Sequence, residues 1–280
     1  MKKILLILLC FVLIISSALP VLAENASLPL SLLAVNVRKA DALLLRSGES
    51  AYLVDTGSEE SVPALLTALR EENVTHLDGV VLTHTHKDHV GGLEALLASD
   101  IAIDKIYASG YYNKKKESKH PAVKAVKGTG LEVVFLFAGD SLPLDGGSLT
   151  VIGPLEKNDD LENNNSLVLL AEGGGGKILL TGDMEFPEEK SLLKAGAVPA
   201  ADVLKVGNHG ESDATSYELV TTVNPSLAVI STNSDDEPDT PSPLVLQVLA
   251  ACNVRVVSTE GTQRGIEITL KDGEILTEVK

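Results

Sequence analysis

Short apolar runs alternate with amphipathic stretches along most of the chain, and the spacing of the apolar residues separates strands from helices. DALLLRSG (residues 41–48) and SAYLVDTG (50–57) predict a two-stranded hairpin turning near Gly48. SEESVPALLTALREEN (58–73) predicts a helix, with Ser58 as its cap, acidic residues in its first turn and Pro63 early. GVVLT (79–83) predicts a short buried strand, LEALLAS (93–99) a helix and IDKIYAS (103–109) a strand. HPAVKAVKG (120–128) predicts a helix with lysines toward its end. Four strands are predicted next: LEVVFLF (131–137), SLTVIGP (148–154), SLVLLAE (166–172) and KILLTGD (177–183). The rest alternates. Helices FPEEKSLLKAG (186–196), TSYELVTTV (215–223) and SPLVLQVLAAC (242–252) lie among strands ADVLKVG (201–207), SLAVIST (226–232), VRVVST (254–259), GIEITL (265–270) and EILTEV (274–279). No low-complexity linker divides the chain and no fixed repeat is visible. The expectation is an α/β fold, one domain of sheets flanked by helices.

The N-terminus breaks this pattern. Lys2 and Lys3 precede an unbroken apolar run from Ile4 to Ile15, too short to span a bilayer comfortably. Ser16, Ser17, Pro20 and the small-residue ending Val21-Leu22-Ala23 follow. This predicts a secretory signal peptide over residues 1–23, cut after Ala23, and an exported domain over 24–280 with no membrane span. Cys10 lies deep in the apolar run behind Leu9, unlike a lipoprotein cysteine.

Cleavage sharpens the charge. Of 23 basic and 39 acidic residues, only Lys2 and Lys3 leave, so 21 face 39 and the balance moves from −16 to −18. A broad nucleic-acid-binding surface is therefore not expected, because such surfaces neutralise phosphates with cations. Cys252 alone remains, so the fold must hold without an internal disulfide; its apolar surroundings predict a buried core thiol. The chain has no tryptophan, which argues against a surface that stacks sugars or bases.

The candidate chemistry is concentrated. Three of the six histidines fall in THTHKDHVGG, residues 83–92. Alternate residues of extended chain face one side, so His84 and His86 should point together from the strand end. Asp88 and His89 can converge from the adjoining loop, and Gly91 and Gly92 suit a tight reversal. Imidazole and carboxylate are ligands that zinc prefers. A solvated loop has no need of three histidines so close together.

This stretch resembles the metal-binding signature of the metallo-β-lactamase superfamily, and the resemblance covers nearly the whole mature chain. Asp55 and Gly57 match the DTG after its second strand. NNNSLVLLAEGGGGKILLTGDME (163–185) resembles the hairpin that ends in a bridging aspartate, here Asp183. LKVGNHGESDATS (204–216) resembles the segment carrying the last histidine ligand, here His209, with Gly207 and Gly210 beside it. The set is most similar to the hydrolase domain of ComEC-type DNA-uptake (competence) proteins. The resemblance implies an αββα sandwich with metal at the sheet edges. It implies one or two zinc ions, with manganese as an alternative: His84, His86 and Asp183 at the first, and Asp88, His89, Asp183 and His209 at the second.

Three departures qualify it. Many superfamily members carry a further histidine ligand before Asp183, whereas this chain has Asn165 and Ser166 in NNNS and only His120 in the interval. Asn165 and Ser166 are candidates to orient water or substrate, or simply a strand-entry turn. The Gly-Gln-Gly-Asp run usual near Asp41 reads RKAD (38–41), and the paired histidine reads Asn208-His209.

Metal ions at such a site acidify water and polarise a carbonyl or phosphoryl oxygen, and Asp88 can orient the nucleophile. The strip YYNKKKESKHPAVKAVK (111–127) places Lys114, Lys115, Lys116, Lys119, Lys124 and Lys127 near two tyrosines and suits a polyanion. The expected function is a metal-dependent hydrolase of phosphodiesters, acting on nucleic acid or a phosphorylated envelope component. A hydrolase of amides or esters, such as a β-lactam or lactone, and a non-catalytic binding module are the alternatives.

Overall fold

A computed structural model describes residues 27–114 and 116–280. The expected signal peptide and Lys115 lie outside these residues. Two sheets carry the fold. The first has eight strands in the order Glu274–Val279, Gly265–Lys271, Leu30–Val35, Leu43–Ser47, Ser50–Val54, Gly79–Leu82, Ile106–Ser109 and Val133–Leu136. The second has seven: Arg255–Ser258, Leu227–Ile230, Val203–Lys205, Gly176–Leu180, Val168–Gly173, Gly147–Gly153 and Ser141–Leu144.

Side-chain alternation explains why two sheets stack. In Leu30–Val35 and Leu43–Ser47, Leu32, Ala34, Leu43 and Leu45 face a core shared with Leu149, Leu169, Leu180 and Val229 of the other sheet. The intervening Leu33, Val35 and Leu44 face a second core with Leu65, Leu69 and Leu93 of the helices. Leu179, Leu204 and Ile230 face outward onto a third, with Leu192, Leu219 and Leu249. Each sheet is buried on both faces, so its inner strands read as continuous apolar runs rather than alternating ones. The result is the αββα sandwich. At ~25 cal/mol per Å2 of apolar surface removed from water, these three cores supply the main drive to fold.

Several local expectations are revised. The first helix runs Val62–Glu71, not from Ser58. Pro63 lacks an N–H and fits only the first turn, so it fixes the start. Ser58 instead bonds with Ser61 across the preceding turn, and Glu59 and Glu60 lie ahead of the helix, leaving its first turn without an acid. Leu30–Val35 and Ser141–Leu144 are strands that the pattern did not single out. Cys252 is half-buried at the end of helix Pro243–Ala251, not enclosed in the core. Gly48 does turn the first hairpin, with φ 57°.

The strand directions position the site. Ser50–Val54, Gly79–Leu82 and Ile106–Ser109 run parallel, so Asp55, Thr83 and Gly110 emerge at one edge. In the second sheet, Gly176–Leu180, Val203–Lys205 and Leu227–Ile230 are also parallel, delivering Thr181, Val206 and Ser231. Leu167 N donates to Thr83 O at 2.9 Å and stitches the two edges together. Carboxyl ends of parallel strands are where α/β proteins place their sites.

His120 belongs to the fold. It caps helix Pro121–Ala125 by accepting from Ala122 N at 3.2 Å, and it packs on Tyr112 and Phe135. Burial pushes its pKa down to about 4. Protonation therefore opposes folding: the cost begins as pH falls below the ordinary histidine value of about 6.5 and grows until about 4. His120→Asn keeps a capping oxygen and removes the titration. We expect urea unfolding from pH 7 to pH 4.5 to show a smaller loss of stability in this variant than in wild type; equal losses would contradict the assignment.

Candidate metal centre

The site forms where the chain leaves Gly79–Leu82. The strand stops at Leu82 and the chain bends at His84 and Thr85, so His84 and His86 do not project from one continuous strand as alternation suggested, although His86 itself is extended. They still meet, through bends, with ring centroids 4.7 Å apart. Asp88 and His89 lie on a one-turn helix, Lys87–Val90, not in a loop. Gly91 and Gly92 have ordinary φ values of −64° and −82°, so they are not needed for a reversal. They are needed for closeness: a Cβ on Gly92 would sit 2.2 Å from Thr56 O, and one on Gly91 2.4 Å from Lys87 O.

One carboxylate orients two of the rings. Asp55, fully buried with φ 60°, accepts from Thr83 N at 2.8 Å and Thr83 Oγ1 at 2.7 Å. It also accepts from His89 Nδ1 at 2.7 Å. With its proton given to Asp55, Thr83 Oγ1 accepts from His84 Nδ1 at 3.1 Å. Both imidazoles therefore hold a proton on Nδ1, so that in the neutral form each presents its lone pair at Nε2. His209 reaches the same state by another route, donating from Nδ1 to Ser231 O at 2.9 Å. Its turn is forced: Asn208 and His209 have φ of 44° and 53°, a region costly for residues with a Cβ.

The three Nε2 atoms surround Asp183. Its Oδ2 lies 3.0 Å from His89, 3.5 Å from His209 and 3.8 Å from His84. Asp88 Oδ2 lies 3.5 Å from His209 Nε2 and 3.9 Å from His89 Nε2. His84 Nε2, His209 Nε2 and Asp183 Oδ1 are buried without any hydrogen-bond partner. Lone pairs crowded together and left unbonded are stable only around a cation or added protons. The donor set of imidazole nitrogens and carboxylate oxygens fits a divalent metal. His86 and Asp88 lie on the open side: His86 is exposed and the Asp88 side chain 36% exposed.

The electrostatics agree. Burial, with His89 and His86 close by, holds His84 well below its ordinary value and neutral. Burial would depress His89 and His209 too, but Asp183 with Asp55 lifts His89 well above its usual value. Asp183 and Asp88 lift His209 to about 9. Burial alone would raise Asp183, but His89 and His209 hold it well below the carboxylate range. The carboxylates demand positive charge, which protons supply until a metal displaces them.

The profile of the metallo-beta-lactamase superfamily matches residues 35–233. The chain belongs to the metallo-beta-lactamase superfamily. ComE operon protein 3 of Bacillus subtilis is 28% identical over 229 residues, covering 80% of this chain and 29% of that protein. Competence protein ComA of Neisseria gonorrhoeae is 27% identical over 225 residues, covering 78% and 29%. The chain thus spans less than a third of the length of these relatives. The metallo-beta-lactamase fold protein YhfI from Bacillus subtilis has the same fold, with a TM-score of 0.59, 15% identity and coverage of 86% of this chain and 99% of that one.

The superfamily pattern did not disclose every residue that matters. Asn165 is fully buried, and its amide is spent on the loop: Oδ1 accepts from Asn158 N, and Nδ2 donates to Asn158 O and toward Glu162. That leaves it no surface for water or substrate, so its place is the strand-entry turn. Ser166 is also buried, and its Oγ accepts from Asp183 N at 3.2 Å, holding the Asp183 backbone rather than facing an open cavity. Asp55 was visible only as part of a motif, and Lys205, wholly buried beside Asp41, was not singled out. A lysine inside the apolar run ADVLKVG was the available signal, because buried lysines need a partner.

Asp55→Asn tests the orienting role. An amide can donate where the carboxylate only accepts, so the Nδ1 protons lose their shared acceptor. Metal affinity measured by chelator competition is expected to fall about 10–100-fold. An unchanged affinity would remove Asp55 from the centre.

Proposed function

We propose that this chain is an exported metal-dependent phosphodiesterase, acting on nucleic acid or a phosphorylated envelope component. The carrying observation is a groove of about 820 Å3 beside the metal loop. Thr85, Val90 and Gly91 form its wall on that side, and Lys87, Lys114, Lys119 and Lys124 line it with only Glu59 and Glu94 as counter-charges. Among the described residues, none of these four lysines has a carboxylate within ion-pair distance. In a chain of net charge −16, such a cluster supports local recognition of a polyanion. Lys116 is exposed but does not line the groove. The likeness to competence proteins supports the same substrate class. Among the described residues no helix is long and apolar enough to cross a membrane.

A divalent cation held by these ligands supplies Lewis acidity, acidifying water and polarising a phosphoryl oxygen. The chain's own residues do the rest. Asp88 faces the open side; burial would raise its pKa, but the His209 imidazole, with Nε2 3.5 Å from Oδ2, and the nearby His89 hold it down and keep it ionised. It is placed to accept a hydrogen bond from the nucleophile and orient it. The lysines neutralise phosphates on either side of the scissile bond and fix the register of the strand.

The direct test is an assay of the mature protein on bis(p-nitrophenyl) phosphate, single-stranded DNA and nitrocefin, with and without chelator. Chelator-sensitive cleavage of the diesters is expected, with none of nitrocefin; the reverse pattern would overturn the proposal. His86→Ala, at an exposed position, is expected to lower kcat/KM at least about 100-fold with the fold intact by circular dichroism.

The groove makes a separate prediction. Replacing Lys114, Lys119 and Lys124 together by alanine is expected to raise KM for single-stranded DNA. The slope of log affinity against log salt should flatten by about 2, since each phosphate contact contributes about 0.7. The small diester, too short to span the groove, should be affected less. An unchanged salt slope would take the lysines out of substrate binding.

A further inference from the structure

Lys205 ends the inner strand Val203–Lys205 of the second sheet, and its side chain has no exposure. Its Nζ donates to Asp41 Oδ2 at 2.8 Å and to Val206 O at 3.0 Å. An unpaired ammonium would not be tolerated there, yet a buried ion pair is no more stabilising than well-packed apolar side chains. Stability alone does not account for the pair.

The other oxygen of Asp41 does. Asp41 Oδ1 is buried and has no hydrogen-bond partner. Asp41, His89, Asp183 and His209 each bring one potential ligand atom within 4.8 Å of all the others. The Asp41 backbone is pinned to the same loops: its N donates to Asp88 O at 3.2 Å, and its O accepts from Gly57 N at 2.7 Å. A buried carboxylate that spends one oxygen on a lysine, keeps the other unbonded and lies in a cluster with two imidazoles and a second carboxylate has the arrangement of a supported metal ligand.

We propose that Asp41 is a ligand of the cation held by His89, Asp183 and His209, and that Lys205 is the positioning residue that fixes it. The inference rests on the metal-centre reading but not on the identity of the substrate. Its consequence is an asymmetric centre. The side with Asp41 is buried and rich in ligands, whereas the side with His86 opens to solvent. Asp88, facing solvent, is then left to orient the nucleophile. Lys205 also offsets one of the three carboxylates, Asp41, Asp88 and Asp183, that gather round the cations.

The test uses the full mature chain loaded with zinc or cobalt(II). Asp41→Asn alone strands the Lys205 ammonium, so the informative variant is Asp41→Asn with Lys205→Met, which removes both charges. We expect it to keep its circular dichroism spectrum, to bind its tightest cation at least about 10-fold more weakly by chelator competition, and to shift the visible spectrum of bound cobalt. Asp41→Glu, which keeps the charge and the lysine partner, should recover part of the affinity. A folded double variant with unchanged affinity and spectrum would overturn the proposal. If the double variant does not fold, a crystal structure of the metal-loaded wild type decides. An Asp41 oxygen at roughly 2.0–2.2 Å from the metal supports the proposal, and one beyond coordination overturns it. Wild type that binds no cation at all would sink the metal-centre reading itself, whereas cation binding indifferent to Asp41 sinks this proposal alone.

Discussion

The Asp55 carboxylate is the interaction on which the metal centre depends. It is buried at the end of strand Ser50–Val54 and accepts from Thr83 N, Thr83 Oγ1 and His89 Nδ1. Through the Thr83 hydroxyl it also governs His84. One group therefore fixes where the next strand ends and which nitrogen of two imidazoles is free. Without it, His84 and His89 could adopt either tautomer, and the Nε2 lone pairs would not be set toward Asp183. The orientation is achieved before any metal arrives, so little reorganisation is needed on binding.

The sandwich makes that convergence possible. His84, His86, Asp88 and His89 come from the first sheet's edge, and Asp183 and His209 from the second's. Two parallel strand sets end at the same side and are joined by the bond from Leu167 to Thr83. Gly92 allows helix Leu93–Leu97 to start against the Thr56 carbonyl. The histidine loop is thereby pressed on the same segment that carries Asp55. Local geometry at the centre is a consequence of how closely these backbones approach.

How much of this the sequence disclosed varies with the range of the interaction. Apolar runs such as GVVLT and KILLTGD predicted strands because alternation and burial are local properties. The clustered His84, His86, Asp88 and His89 were legible because four candidate ligands share six positions. Asp183 and His209 were reached through family resemblance, with the end of the strand KILLTGD and the flanking Gly207 and Gly210 as weaker local signals. Asp41 and Lys205 stand 164 residues apart, and their pairing is a product of tertiary packing alone. The start of the first helix was misjudged because Ser58 offers a capping hydroxyl, yet Pro63 decides where the helix begins. Asn165 was weighed for substrate contact as well as for a turn; its amide turns inward because the Asn158 backbone competes for it.

That inward turn bears on how the lysine groove and the metal loop are joined. Glu162, three residues before Asn165, accepts from the Thr85 hydroxyl within the histidine motif and from Asn113 N at 2.7 Å beside Lys114. Asn165 braces the same carboxylate at 3.4 Å. One side chain thus ties the segment bearing the lysines to the segment bearing the ligands. His120 fixes the far end of the lysine segment through its cap and its packing on Tyr112. A polyanion held by loose lysines would be attracted without being registered, because electrostatic attraction alone carries no geometry. With Glu162 coupling the two segments, Lys114 is held at a set distance from the histidine loop. The chain lacks the additional histidine common among its relatives' wider superfamily. In the ENNNS stretch, Glu162 instead joins the histidine loop to the segment bearing Lys114.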